Sequence, residues 1–121
     1  MNIEELRTHC LSVKGATEGF PFGKDILVFK IMDKMFAYIG LSPKDGEFFV
    51  NLKCDPEKAI ELRDMYNGIK RGQHTTGLMW NSVYIGSDVP DQIIKELIDH
   101  SVDEVIKNLS RKKQEEYKNI P

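Results

Sequence analysis

Residues 26–53 read ILVFKIMDKMFAYIGLSPKDGEFFVNLK, and this stretch decides the fold. Segments 26–32 and 35–41 are rich in β-branched and aromatic residues, as β-strands usually are. The polar pair Asp33 and Lys34 separates them. This pattern predicts a β-hairpin, although Asp-Lys is a poorer two-residue turn than Asp-Gly.

A second turn over 42–46 leads into another segment with the alternating pattern of a strand. In 47–53 one face contains the apolar residues Phe48, Val50 and Leu52, which alternate with Phe49, Asn51 and Lys53 on the other face. We therefore expect one face of this strand to be buried and the other to be partly exposed to solvent. Three strands joined by short turns predict an antiparallel meander.

Helix signals flank the meander on both sides. Asn2, followed by Glu5, is typical of a helix N-terminus, and Gly15 supplies the turn expected to end this helix. Asp55 as a cap before a proline predicts a second helix, which extends to about Met65. The apolar positions expected to be buried in it are Ala59, Ile60 and Leu62, with Met65 as a further candidate.

The C-terminal part of the chain adds a fourth strand over 81–85 and the longest helix, whose first turn contains Pro90. Ser110 is suited to cap a short final helix that contains the basic run 111–113. The apolar stripe of the long helix comprises Ile94, Leu97, Ile98, Val102, Val105 and Leu109. We therefore predict an α+β fold, with an antiparallel sheet (a three-strand meander plus a fourth strand) and helices packed on one face.

The composition of the 121 residues indicates one globular domain, 1–121. No apolar run approaches the roughly 18 residues of a membrane span, and the acidic start is unlike a signal peptide. Cys10 and Cys54 are far apart and outside any CxxC pattern, which indicates buried thiols in a reducing cytoplasm. We expect a cytoplasmic monomer that does not bind membranes.

Residues 69–81 (IKRGQHTTGLMWN) concentrate the only tryptophan, a histidine, two adjacent cations and two glycines without helical or strand periodicity. This pattern predicts a loop, and loops on a rigid scaffold often carry binding residues. His74 is suited to donating to an anion or, alternatively, to tying the loop to the sheet. Trp80 is suited to stacking on a base or, alternatively, to packing in the core beneath the loop.

Read as a whole, the chain resembles the MmcQ/YjbR family of small bacterial proteins. The matching pieces run nearly end to end, in the order Cys10-Leu11-Ser12, Gly15 to Glu18, Pro21-Phe22-Gly23, Lys34 to Ala37, Leu52 to Pro56, Gly72-x-His74 with Trp80, and Ser101 to Leu109 with the basic run after it. The resemblance implies a compact CyaY-like (frataxin-like) α+β fold and a DNA-binding protein with a double-wing arrangement. It implies no catalytic residues and no cofactor. The family often has basic residues between the histidine and the tryptophan, where this chain has TTGLM (75–79).

The first functional hypothesis is a non-enzymatic DNA-binding protein that uses the 69–81 loop and the adjacent sheet face. Net charge is −2, so any DNA contact would depend on a local basic patch. The candidate binding residues are Lys53, Lys70, Arg71, His74 and Trp80, with Lys44 nearby in a turn. Aromatic residues at Tyr38, Phe49 and Tyr84 are candidates for the same sheet face, as in folds that bind single strands by stacking.

The second hypothesis is a module that binds a small molecule or a protein in a cleft under the His74/Trp80 loop. Patterns typical of enzymes or cofactor sites are missing from the sequence. The glycines lack the strand-to-helix context of a phosphate-binding loop, and no nucleophile elbow is present. No Cys/His cluster indicates zinc. We therefore expect no catalytic residues, no metal and no cofactor.

Overall fold

The computed structural model describes residues 1–72 and 79–121. In these residues the chain forms four helices and six strands. The helices are α1 (Ile3–Leu11), α2 (Pro56–Met65), α3 (Asp91–Lys107) and α4 (Arg111–Lys118). The strands are β1 (Thr17–Gly19), β2 (Ile26–Ile31), β3 (Lys34–Gly40), β4 (Phe49–Lys53), β5 (Ile69–Arg71) and β6 (Trp80–Tyr84).

The strands form one antiparallel sheet in the order β1-β2-β3-β4-β6-β5. The predicted α+β class is confirmed, and so is the meander of β2, β3 and β4 with a fourth strand, β6, beside it. Two further strands, β1 and β5, were not predicted. Each has three residues, which is too short for alternation to be visible in a sequence.

The β2–β3 hairpin turns at Met32 and Asp33, one residue earlier than predicted. Both residues have positive φ angles, 48° and 63°. A two-residue loop with two left-handed residues matches the right-handed twist of the flanking strands. Ile31 then pairs with Lys34, so Lys34 belongs to the strand and not to the turn.

The predicted helix caps are present at three of the four helices. The side chains of Asn2, Asp55 and Ser110 accept backbone N–H groups of Glu5, Lys58 and Lys113 at 2.9, 3.1 and 3.2 Å. The first helix ends earlier than predicted, at Leu11. Gly15, with a φ of +74°, lies in the turn that follows, so it redirects the chain after the helix has already ended.

All four helices contribute to the core on one face of the sheet. The apolar stripe of α3 is buried as predicted, as is Leu6 of α1. These side chains pack with buried residues of the central strands that include Phe29, Phe36, Ile39 and Val50. The predicted burial of Ile60 and of Met65 is wrong: their side chains are 51% and 66% exposed, because Ala59 and Leu62 are the positions of α2 that face the sheet.

Ser101 of α3 joins the helix layer to the sheet where the β3–β4 ladder ends. Its hydroxyl donates to the carbonyl of Phe36 (2.6 Å) and accepts the N–H of Lys53 (2.9 Å). In the part of the chain that the structure describes, no helix has the length and apolar character needed to cross a bilayer.

Candidate functional site

The strand register determines which side chains share the sheet face opposite the helices, which we call the open face. In β4 and β6 the paired residues are Phe49 with Tyr84, Asn51 with Ser82, and Lys53 with Trp80. Directly paired residues of antiparallel strands point to the same side. Val50 and Leu52 alternate with them and are buried on the helix side, so these six side chains belong to the open face.

Two pairs of aromatic rings lie on the open face. Tyr38 of β3 contacts Trp80 with 5.6 Å between ring centroids and an interplanar angle of 53°. Phe49 contacts Tyr84 at 4.9 Å and 43°. Such tilted contacts are favourable for aromatic quadrupoles. Phe49, Trp80 and Tyr84 are half-buried, so part of each remains accessible.

Tyr38 is the most buried of the four rings. Burial raises the pKa of its hydroxyl to about 12. The hydroxyl therefore stays protonated and neutral over the physiological pH range. Tyr38 therefore adds no charge to the open face near neutral pH.

A buried polar pair lies between the two ring pairs. The hydroxyl of Ser82 donates to Oδ1 of Asn51 at 2.7 Å, and both side chains are buried. The sequence predicted that Asn51 lies on the partly solvent-exposed face of its strand, but it did not predict the hydrogen bond with Ser82. Only the pairing of β4 with β6, which joins segments 27 or more residues apart in the chain, brings the two together.

The cations of β5 lie on opposite sides of the sheet. Lys70 pairs with Ser82 on the open face, and its ammonium lies 5.4 Å from the centroid of the Tyr84 ring. Arg71 pairs with Asn81, whose side chain accepts a hydrogen bond from Arg63 of α2 at 2.8 Å. Asn81 therefore faces the helices. Arg71, as its cross-strand partner, is on the same side of the sheet. The expected patch of Lys70 with Arg71 is divided between two faces.

The predicted loop over 69–81 is only partly a loop, because its ends belong to β5 and β6. The N–H of Gly72 donates to the carbonyl of Trp80 at 2.9 Å, which extends the pairing by one step. Trp80 is thus a strand residue with an accessible edge. His74 lies outside the described residues. Lys53 is half-buried at the end of β4, and Lys44 is exposed in the β3–β4 turn.

Comparison with known proteins places this arrangement in a family. The YjbR family model matches residues 11–103, which is more than half of the chain. The chain belongs to the YjbR family. The family resemblance predicted from the sequence is therefore confirmed.

Two curated relatives come from Escherichia coli. The uncharacterised protein YbdF of strain O157:H7 is 36% identical over 95 residues, which are 78% of this chain and 76% of YbdF. The uncharacterised protein YjbR of strain K12 is 27% identical over 114 residues, 94% of this chain and 95% of that protein.

Solved structures show the same fold. The Deinococcus radiodurans protein DR2400, with a DUF419 domain, superposes with a TM-score of 0.87 at 28% identity, over 99% of this chain and 89% of that one. A Pseudomonas syringae protein superposes with a TM-score of 0.71 at 24% identity, over 84% of this chain and 96% of that one. The second likeness concerns the fold alone.

In the described part of this YjbR-family chain, the potential metal ligands are not clustered and both thiols are buried. Among residues 1–72 and 79–121, no group of three or more His, Cys, Asp or Glu could hold a metal ion. Cys10 and Cys54 are both free and buried, and burial raises their thiol pKa values to about 12 and about 11. Thiols with such pKa values are poor nucleophiles near neutral pH.

Proposed function

We propose that the protein binds single-stranded DNA through the open face, without catalysing a reaction on it. One observation carries the proposal: two aromatic ring pairs share this face, and the Lys70 ammonium lies against the ring of Tyr84. Half-exposed rings provide flat apolar surfaces for bases, and neighbouring lysines provide contacts for the phosphates. The DNA-binding role implied by the family resemblance is consistent with this arrangement.

The charge of the chain requires such a local mechanism. With a net charge of −2, the protein as a whole does not attract a polyanion. Lys53 and Lys70 lie on the open face, next to Trp80 and Tyr84 respectively. We therefore expect modest affinity with a shallow salt dependence, because few phosphates can be contacted.

Trp80 provides a direct test because it is the only tryptophan and lies in the proposed site. Short oligonucleotides should quench its fluorescence at low salt, and the titration gives an affinity at each salt concentration. Lys70→Ala should weaken binding and lower the slope of log K against log salt by roughly 0.7, the value for one lost phosphate contact on a single strand.

Arg71→Ala is the matched control. It removes the same charge from the adjacent residue of the same strand, but from the opposite face of the sheet. We expect it to leave affinity and salt slope nearly unchanged. Equal effects of the two substitutions would mean that only net charge matters. Absence of quenching at low salt would overturn the proposal.

A second candidate function is the binding of a small molecule or a protein by the same region. The observation that favours it is the buried Asn51–Ser82 pair between two ring pairs, because a few fixed polar groups in an apolar frame are typical of ligand sites. The cleft predicted under the His74/Trp80 loop involves residues outside those described. Thermal stabilisation by a metabolite, without any response to oligonucleotides, would favour this function.

A further inference from the structure

A cleft of about 240 Å³ opens between the β2–β3 hairpin and the C-terminal end of α3. Its lining combines three apolar and three polar residues. The residues that line it are Lys34, Met35, Lys53, Val105, Asn108 and Leu109. Lys34 is paired with Ile31, a core residue, so its position is on the helix side of the sheet, whereas Lys53 belongs to the open face. The cleft therefore lies at the end of the sheet, between these two positions.

The charged residues that line this cleft are both cations. Within residues 1–72 and 79–121, neither Lys34 nor Lys53 forms an ion pair. The carboxylate of Glu104, one turn before Asn108, lies 3.9 Å from the ammonium of Lys107. Asp33 is next to Lys34 in the hairpin and is exposed. An anion in the cleft would therefore lie between two lysines that have no carboxylate partner among the described residues.

The segment that follows the cleft adds positive charge. α4 begins directly after Leu109 and Ser110, and its first turn contains Arg111 and Lys112 but no acidic residue. The N-terminal end of a helix carries partial positive charge and normally attracts acidic side chains. Cations here are unfavourable in isolation, and an anion bound nearby would relieve the repulsion.

The cleft also adjoins the open face. Lys53 lines the cleft and is the direct cross-strand partner of Trp80. The Cβ atoms of such partners are about 5 Å apart. A nucleotide whose base lies on the accessible part of the Trp80 ring can therefore reach the cleft with its own phosphate.

We infer that this cleft binds a phosphate monoester, namely the terminal phosphate of a strand whose bases stack on the open face. In this form the inference rests on the proposed DNA binding. Lys34 and Lys53 supply the ammonium groups, and Met35, Val105 and Leu109 supply apolar contacts for the sugar carbons. Ammonium groups bind phosphate oxygens through short, charge-assisted hydrogen bonds.

The test compares one oligonucleotide in three forms: with a 5′-phosphate, with a 3′-phosphate and with neither. Trp80 fluorescence reports the affinity of each form. In the wild type, one terminal phosphate should tighten binding roughly tenfold, the effect of one to two hydrogen bonds to a charged group. Lys34→Ala should abolish this preference while leaving the unphosphorylated form bound as before.

Lys24→Ala serves as the matched control, since it removes an exposed lysine that does not line the cleft. It should retain the preference. Lys53→Met, which keeps most of the side-chain length, should reduce the preference and also weaken binding of the unphosphorylated strand. Thermal unfolding of each variant with inorganic phosphate and with a nucleoside monophosphate completes the set.

The outcomes separate this inference from the proposed function. Equal affinity for all three oligonucleotides would overturn the phosphate site and leave DNA binding standing. If no oligonucleotide binds, but a nucleoside monophosphate stabilises the wild type and not Lys34→Ala, the phosphate site stands and the proposed function falls. If neither oligonucleotides nor phosphates have any effect, both are overturned.

Discussion

Gly68, between α2 and β5, has no room for a side chain. Its N–H donates to the Asp88 carboxylate at 2.7 Å, and its carbonyl accepts the N–H of Tyr84 at 2.8 Å. The same carboxylate accepts the N–H of Asn67 at 2.7 Å. A Cβ atom added to Gly68 would lie 2.0 Å from Oγ and 2.5 Å from Cβ of Ser87. A glycine is therefore required here by close packing.

We predict that Gly68→Ala lowers the free energy of unfolding by roughly 2–4 kcal/mol, because Ser87 and Asp88 must move and their hydrogen bonds weaken. Urea unfolding measures the change. Gly40→Ala is the control, since nothing lies within 4 Å of the Cβ added there. Ser87→Gly should cost less in the Gly68→Ala background than alone. Strict additivity of the two substitutions would contradict a direct clash.

At the scale of secondary structure elements, the sequence predicts those whose residues carry a local signal. The central strands and α2 lie within about two residues of their predicted bounds, because alternation and capping residues are local properties. The short strand β5 has no such signal. Its existence depends on pairing with β6, which begins nine residues after β5 ends.

The same limit applies to the candidate site. Alternation within β4 correctly placed Phe49, Asn51 and Lys53 on one face, and the register puts Tyr38 and Tyr84 on that face, as the sequence also predicted. The sequence did not predict that Lys70 and Arg71 lie on opposite faces of the sheet. This segment was interpreted as a loop, and residues alternate between two faces only in a strand. The cleft at Lys34 and Lys53 was also missed, since it depends on where the end of α3 lies over the hairpin.

One hydroxyl group of α3, that of Ser101, hydrogen-bonds to both β3 and β4. Ser101→Ala would leave the buried carbonyl of Phe36 and the N–H of Lys53 without this partner. We predict a loss of roughly 2–4 kcal/mol, because each unsatisfied buried group costs about 1–3 kcal/mol. Hydrogen exchange should also show faster exchange of the Lys53 amide in the variant.

Ser12→Ala is the control for the loss of a hydroxyl group. Its hydroxyl donates to the carbonyl of His9 at 2.6 Å, but Ser12 is exposed, so water can replace the bond. We expect a change below about 1 kcal/mol. Unaltered exchange at Lys53 in Ser101→Ala would show that the ladder end does not depend on the serine.

At the scale of the whole molecule, stability depends on contacts between elements that are distant in sequence. His100 of α3 accepts the N–H of Asp55 through Nε2 at 3.2 Å, and Asp55 caps α2. This bond links the longest helix to the start of another helix. It exists only while Nε2 carries no proton, so it couples the packing of the two helices to pH.

Burial lowers the pKa of His100 below its ordinary value of 6.5, and the nearby Lys58 ammonium lowers it further. Below pH 6.5 the unfolded chain therefore binds this proton more readily than the folded chain, and stability falls as the pH falls. We predict that the free energy of unfolding is nearly constant from pH 7.5 to 6.5 and then declines down to the lowered pKa of the folded state.

His100→Gln, whose amide oxygen also accepts the Asp55 N–H, should remove this part of the decline. Urea unfolding at half-unit pH steps measures both slopes. Identical slopes would show that His100 keeps its proton equilibrium unchanged on folding.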